Sequence, residues 1–226
     1  DGGARVTPQG VTFLTGPTSP TELRSISPNG KYASGYSGAM GVLWDLSSMQ
    51  RTLFSDWQYV DAMSVDNNGT IGGNYIDASS ELGNQAFRKT LNGPYEQLMP
   101  RYAHSSVMAT TTNGSVLALT AYLVDGSPDR AFYFSGSGPA VELPSVAGET
   151  STVPWAVSDV DGSILVVGQT GTLYSWKPFM WLSGDATKTI LPPLGVRTKG
   201  AAACAAGWPK VKMIGGYLQS TSSDRK

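Results

Sequence analysis

The sequence predicts an all-β fold, a five-bladed β-propeller built of four-stranded antiparallel blades. A short pattern recurs along the chain: a turn ending in Asn-Gly or Asp-Gly, a β-rich run, a loop and an aromatic strand, with turn glycines at 30, 69, 114 and 162. Repeats about 40 to 48 residues long fall in the range of propeller blades. No segment shows a convincing 3.6-residue apolar period, so almost no helix is expected.

The first copy runs from Ser27-Pro28-Asn29-Gly30 to Val42-Leu43-Trp44-Asp45, and the second from Asp66-Asn67-Asn68-Gly69 to Ala86-Phe87-Arg88-Lys89. The third joins Thr112-Asn113-Gly114 to Ala131-Phe132-Tyr133-Phe134, and the fourth joins Val160-Asp161-Gly162 to Pro178-Phe179-Met180-Trp181. Blade two shows the strand logic, with strands at 60–65, 70–75, 85–90 and 95–99. Asn68-Gly69 predicts a type I′ hairpin, whose two central residues both take positive φ. Gly35, Gly72-Gly73 and Gly168 fall inside second strands. Glycine there predicts a close backbone approach, expected where neighbouring blades pack.

A fifth copy emerges only when the ends are joined. Residues 210–218 resemble a second strand, while 4–7 and 11–14 resemble the third and fourth strands of blade three. N-terminal strands are therefore expected to complete the last blade and close the ring, removing exposed sheet edges. The expected blades are 22–57, 58–99, 102–144, 152–194, and 199–226 with 1–15, in a single domain over 1–226.

Charge is sparse, at 15% of residues, and nets to −1, so the chain has no basic footprint for nucleic acid or an anionic membrane. No apolar run is long enough to span a bilayer, and no charged, apolar leader opens the sequence. The single cysteine, Cys204, has no partner for an internal disulfide or a thiolate metal cluster and reads as a small buried residue of blade five. Abundant Gly, Ser, Thr and Asn suit an extracytoplasmic protein that is secreted, periplasmic or at the cell surface.

Blade one, with Ser27-Pro28-Asn29-Gly30 and Val42-Leu43-Trp44-Asp45, resembles a WD40 repeat. Ala86-Phe87, Ala131-Phe132 and Phe179-Met180-Trp181 resemble the bacterial extracellular repeats named for a His-Ala-Phe signature. The Gly-His and most Trp-Asp pairs of WD40 blades are missing, and Gln85, Arg130 and Lys177-Pro178 stand where His-Ala is expected. The resemblance implies an extracytoplasmic β-propeller and carries no activity.

Function must then come from a site, because propellers host many chemistries. The links between blades and the loops between second and third strands, at 76–84, 123–129 and 170–175, should share one face, and tight turns should fill the other. On the loop face the expected ligand-binding residues are Glu22, Arg24, Trp57, Tyr59, Asp61, Tyr102, His104, Trp155 and Trp208. Aromatic planes beside polar edges suit the faces of a sugar or a peptide. His104 is the only histidine, which excludes a histidine-based metal site, and no Gly-x-Ser-x-Gly elbow accompanies it. Asp66-Asn67-Asn68-Gly69 and Asp159-Val160-Asp161-Gly162 lack the spacing of a full calcium loop.

The leading expectation is a non-enzymatic binding or scaffold module that recognises a glycan or protein ligand and has no catalytic residue, metal or cofactor. A carbohydrate-active enzyme is the alternative, with Glu22 and Asp61 as an acid pair and Asp56 less favoured. A purely structural repeat array within a larger surface protein is the other.

Overall fold

The computed structural model describes residues 3–7, 10–14, 17–79, 81–122, 128–160, 162–172, 175–192, 203–208 and 211–216. Among these residues the regular elements are all β-strands. Among the described residues no helix is long and apolar enough to cross a membrane.

Among the described residues, twenty strands form antiparallel sheets in up-and-down order. The four-stranded sheets are β3 (Thr21–Ile26), β4 (Tyr32–Ser37), β5 (Met40–Asp45) and β6 (Gln50–Phe54); β7 (Tyr59–Val65), β8 (Ile71–Ile76), β9 (Gln85–Lys89) and β10 (Tyr95–Gln97); β11 (His104–Thr110), β12 (Leu117–Tyr122), β13 (Arg130–Phe134) and β14 (Val141–Glu142); and β15 (Ser151–Val160), β16 (Ser163–Thr172), β17 (Ser175–Leu182) and β18 (Thr189–Ile190). Two-stranded sheets pair β1 (Gly3–Thr7) with β2 (Gly10–Leu14) and β19 (Ala203–Trp208) with β20 (Val211–Gly216). Four complete sheets therefore stand where five blades were expected, and the terminal strands form two half-sheets. The side chains of β19 and β20, including Cys204 and Trp208, lie outside the described residues.

The chain divides into two compact units, residues 1–107 with 112–114 and residues 108–111 with 115–226. In the first, β3, β4 and β5 lie against β7, and β1 lies against β3. In the second, β12 and β13 lie against β15, while β15 and β16 lie against β19. The recurring relation is that the second or third strand of one sheet packs on the first strand of the next.

Apolar side chains on both sheet faces make this stacking favourable. One core of the first unit joins Leu43, Phe54, Val60, Ile71, Tyr75 and Phe87; its counterpart in the second joins Val116, Ala131, Val157, Val166, Phe179 and Trp181. The Ala-Phe pairs are core residues, with Ala86, Phe87, Ala131 and Phe132 all buried. Burial of such side chains contributes about 1.5–3 kcal/mol each. At Gly41, a Cβ would meet Val60 Cγ1 at 2.7 Å, so the missing side chain lets the next sheet approach.

The hairpin turns differ from the type I′ geometry. Gly30, Gly69 and Gly114 have φ of 68°, 80° and 70°, whereas Met49 is the only non-glycine with positive φ among the described residues. The turns instead carry a single left-handed residue at the end. Gly30 N–H donates to Ser27 O, and Asp66 Oδ1 accepts from the N–H groups of Asn68 and Thr70. The side chain at the turn start accepts from the returning strand, the Asp66 carboxylate in the second turn and the Ser27 hydroxyl, bonded by Tyr32 N–H, in the first. Adjacent turns are tied together: Asn29 N–H donates to Asn67 Oδ1, and Asn67 N–H donates to Thr112 O.

The strand glycines explain a second device. In β3 the register shifts between Leu23 and Ser25, leaving Arg24 as an extra residue; in β15 it shifts between Pro154 and Ala156, leaving Trp155. In β7, Ala62 and Met63 face only Gly73. A Cβ on Gly35, Gly73 or Gly168 would collide with the backbone carbonyl of Glu22, Asp61 or Val153 respectively. The close approach expected between neighbouring blades is therefore, at these positions, an approach within one blade, where glycine makes room for a β-bulge in the inner strand. Gly72 keeps the expected role, since its Cβ would meet Val107 Cγ1 at 2.6 Å.

The loop predictions divide. Residues 77–84 do link β8 to β9, whereas β16 and β17 extend to Thr172 and Ser175 and absorb most of the loop expected at 170–175. Strand pairing continues to Thr172↔Ser175 because successive residues keep their ladder partners. Residues 123–127 lie outside the described set.

Candidate functional site: two carboxylates bridged by a bulge arginine

Glu22 of β3 and Asp61 of β7 occupy equivalent positions, since each supplies the carbonyl that a second-strand glycine accommodates. Arg24, the extra residue of the β3 bulge, bridges them. Its guanidinium contacts Glu22 Oε2 at 3.2 Å and donates to both oxygens of Asp61, at 3.1 to 3.3 Å. Bulges commonly re-aim a side chain near a functional site, and this one carries a cation to the next inner strand. The Arg24 guanidinium also lies 5.0 Å from the centroid of the Tyr36 ring, and Tyr36 lies 6.2 Å from Tyr59. Glu22, Arg24, Tyr36, Tyr59 and Asp61 thus form one cluster with two carboxylates, one cation and two half-buried phenols.

Asp61 is only 5% exposed. Burial pushes its carboxyl above the ordinary carboxylate range, and the hydrogen bonds and charge of Arg24 pull the other way. The Tyr36 hydroxyl is held above its usual value, first by its hydrogen bond to Glu22 and then by burial. With both Asp61 oxygens engaged, the arrangement resembles a structural ion pair more than a poised acid and base.

The second bulge behaves alike. Met63 Sδ accepts from Ser106 Oγ at 3.1 Å and from Asn74 Nδ2 at 3.5 Å, so the bulge residue of β7 reaches β11. In the second unit, Trp155 is the bulge residue of β15 and is 37% exposed.

The remaining sequence-selected residues have other environments. Trp57 packs into the first core, with its ring 4.3 Å from that of Tyr75 and edge-on to Tyr95 at 6.0 Å. Trp57→Ala should lower stability by about 3 kcal/mol in urea unfolding, chiefly through the cavity it leaves. His104 Nδ1 accepts from Asn84 N–H at 3.3 Å, and its ring covers Gly83, fixing the β8–β9 loop at the start of β11. The main chain there is held by Gln85, whose Nε2 donates to the carbonyls of Asn84, Tyr102 and Ala103. Tyr102 is half-buried, and Asp56 is exposed.

Sequence reasoning missed Tyr36 because nothing distinguished it from the aromatics of other second strands. It also missed the bulges, for which Gly35, Gly73 and Gly168 were the available signal.

Similarity to known proteins decides the fold and leaves the chemistry open. No protein-family model matches the sequence, and no curated protein matches it as a relative. Among solved structures the chain is similar to TolB from Acinetobacter baumannii, with 13% identity and a TM-score of 0.58 over 93% of this chain and 54% of that one. It is also similar to a prolyl endopeptidase, with 13% identity and a TM-score of 0.55 over 87% of this chain and 33% of that one. Both neighbours have β-propeller-type folds. The fold is shared. The chain spans about half the length of the TolB structure and a third of the endopeptidase. At this identity the likeness concerns architecture alone.

Proposed function

We infer that the chain is a non-enzymatic binding or scaffold module, extracytoplasmic, that recognises a glycan or protein. The observation that carries the reading is the closure of Asp61 by Arg24. A glycosidase needs one carboxyl held as an acid and another free as base or nucleophile. Here the cation between Glu22 and Asp61 occupies the space such a pair would use. What stays open to a ligand are aromatic surfaces, Tyr36 and Tyr59 in one unit and Trp155 in the other, suited to stacking on a sugar face or an apolar peptide side chain. On a glycan array, the Tyr59→Ala and Trp155→Ala variants should each lose signal while keeping the wild-type unfolding midpoint. Undiminished signal from both would remove the aromatic surfaces from the site.

The five-bladed reading rests on the packing relation of the strands. β1 meets β3 as β5 meets β7 and β13 meets β15, which is the relation of a third strand to the next blade's first strand. β16 meets β19 as β4 meets β7, which casts β19 as a first strand. The half-sheets β1–β2 and β19–β20 then have the roles of the outer and inner halves of a fifth blade within one domain. Deleting residues 1–15 should lower the melting temperature markedly, because on this reading it removes the outer half of the fifth blade. An unchanged melting temperature would assign the terminal strands elsewhere.

A further inference from the structure

Away from the Arg24 cluster, four asparagines are each followed by glycine: Asn29, Asn68, Asn92 and Asn113. Asparagine is thermolabile, and glycine after it leaves the next backbone nitrogen unhindered for attack on the side-chain amide. The structure separates the first two of these pairs, which hold equivalent places in adjacent turns.

Asn29 is exposed but tethered. Its Oδ1 accepts from Ser27 Oγ at 2.8 Å and from Lys31 N–H at 3.0 Å, while its Nδ2 donates to Asn67 O at 3.3 Å. The nitrogen that would attack is held as well, since Gly30 N–H donates to Ser27 O at 2.8 Å. Asn68 is exposed too, yet its side-chain amide has no hydrogen-bond partner among the described residues. Gly69 N–H reaches Asp66 O only at 3.3 Å, a longer and weaker bond than the one at Gly30. Gly69 is buried against the Tyr32 ring, which leaves the reaction open: nitrogen and Cγ belong to adjacent residues, and the leaving group departs from the exposed side chain.

We propose that Asn68 is a site of spontaneous deamidation, and that its conversion releases the tie between neighbouring turns. The Gly69 nitrogen loses its proton to solvent and bonds to Asn68 Cγ, the Cγ–Nδ2 bond breaks, and ammonia leaves a succinimide ring. Water then opens the ring at either carbonyl, giving aspartate or isoaspartate. The balance is one water consumed and one ammonia released, with no oxidation or reduction. In isoaspartate the main chain is one carbon longer between Cα of residue 68 and the Gly69 nitrogen. Three hydrogen bonds close rings through that link: Gly69 N–H to Asp66 O, Thr70 N–H to Asp66 Oδ1 and Asp66 N–H to Thr70 O. Asn67, inside the same turn, holds Asn29 on one side and Thr112 on the other, so distorting the turn loosens both ties. No ligand enters this inference, which stands or falls apart from the binding reading above.

The test incubates the intact protein in mildly alkaline buffer and maps its peptides by mass spectrometry over time, beside a sample unfolded in urea. In the fold, Asn68 should deamidate about tenfold or more faster than Asn29, whose hydrogen bonds must open first. In urea the two should react at similar rates. Asn92, exposed on the β9–β10 turn, is the internal reference for an accessible site. Aged protein carrying isoaspartate at 68 should show faster amide hydrogen exchange at Asn29 and Asn67, and Asn68→Gln, which would need a larger ring to cyclise, should not. Asn29 reacting as fast as Asn68 in the fold, or Asn68 intact after Asn92 has reacted, would overturn the site. Unchanged exchange at Asn67 in the isoaspartate form would overturn the release.

Discussion

Arg24→Met should destabilise the protein by about 3 kcal/mol at neutral pH, and mild acid should recover much of that loss. Removing one partner of a buried ion pair costs about 3–5 kcal/mol, and the lower end applies because Arg24 is 35% exposed while Asp61 is nearly sealed. The pH sign follows from Asp61. Its carboxyl already binds its proton more tightly in the fold than an ordinary carboxyl does, because burial outweighs Arg24. A group raised in this way contributes stability that is present at low pH and is lost as pH climbs through its folded pKa. Without the guanidinium that pKa rises further, so the loss deepens and reaches to higher pH. Urea midpoints of Arg24→Met across the acid-to-neutral range should therefore fall with rising pH more steeply than those of the wild type. Adding Asp61→Asn should restore most of the neutral-pH stability, since no buried charge remains. A variant equally destabilised at all pH values would mean that Arg24 acts through packing of its stem on Tyr36.

Gly73→Ala should cost about 4 kcal/mol or more, among the largest effects of a single methyl anywhere in the chain. The added Cβ points at the Asp61 carbonyl in the bulge, and backbone cannot step aside as a side-chain end can. Gly138→Ala is the control: it has open space around it and φ of 80°, so only the left-handed backbone opposes it, at about 1–2 kcal/mol. Similar losses at the two positions would show that the bulge relaxes around a methyl group. Because Arg24 reaches Asp61 from the equivalent bulge of β3, relaxation there would also weaken the geometry proposed for the cluster.

The fold was largely legible because it is written in repeated local chemistry. Turn glycines at 30, 69 and 114 and the core pairs Ala86-Phe87 and Ala131-Phe132 each fix one element, and repetition makes the elements agree. Blade two shows how closely, with expected strands at 60–65 and 70–75 and observed strands Tyr59–Val65 and Ile71–Ile76. What escaped was long-range. An isolated Arg24 looked like a ligand contact, and its partner Asp61 lies 37 residues away on the next inner strand. Trp57 was equally ambiguous, as the same aromatic serves a core or a sugar, and only the position of Tyr75 against it distinguishes them.

The claim that Glu22 and Asp61 form a structural pair rather than a catalytic one is tested most directly by assaying the intact protein for turnover of a broad panel of chromogenic glycosides. No hydrolysis above the blank is expected for any substrate, with Asp61→Asn indistinguishable from wild type. Hydrolysis of even one glycoside, abolished by Asp61→Asn or by Glu22→Gln in a variant that keeps its fold, would contradict it.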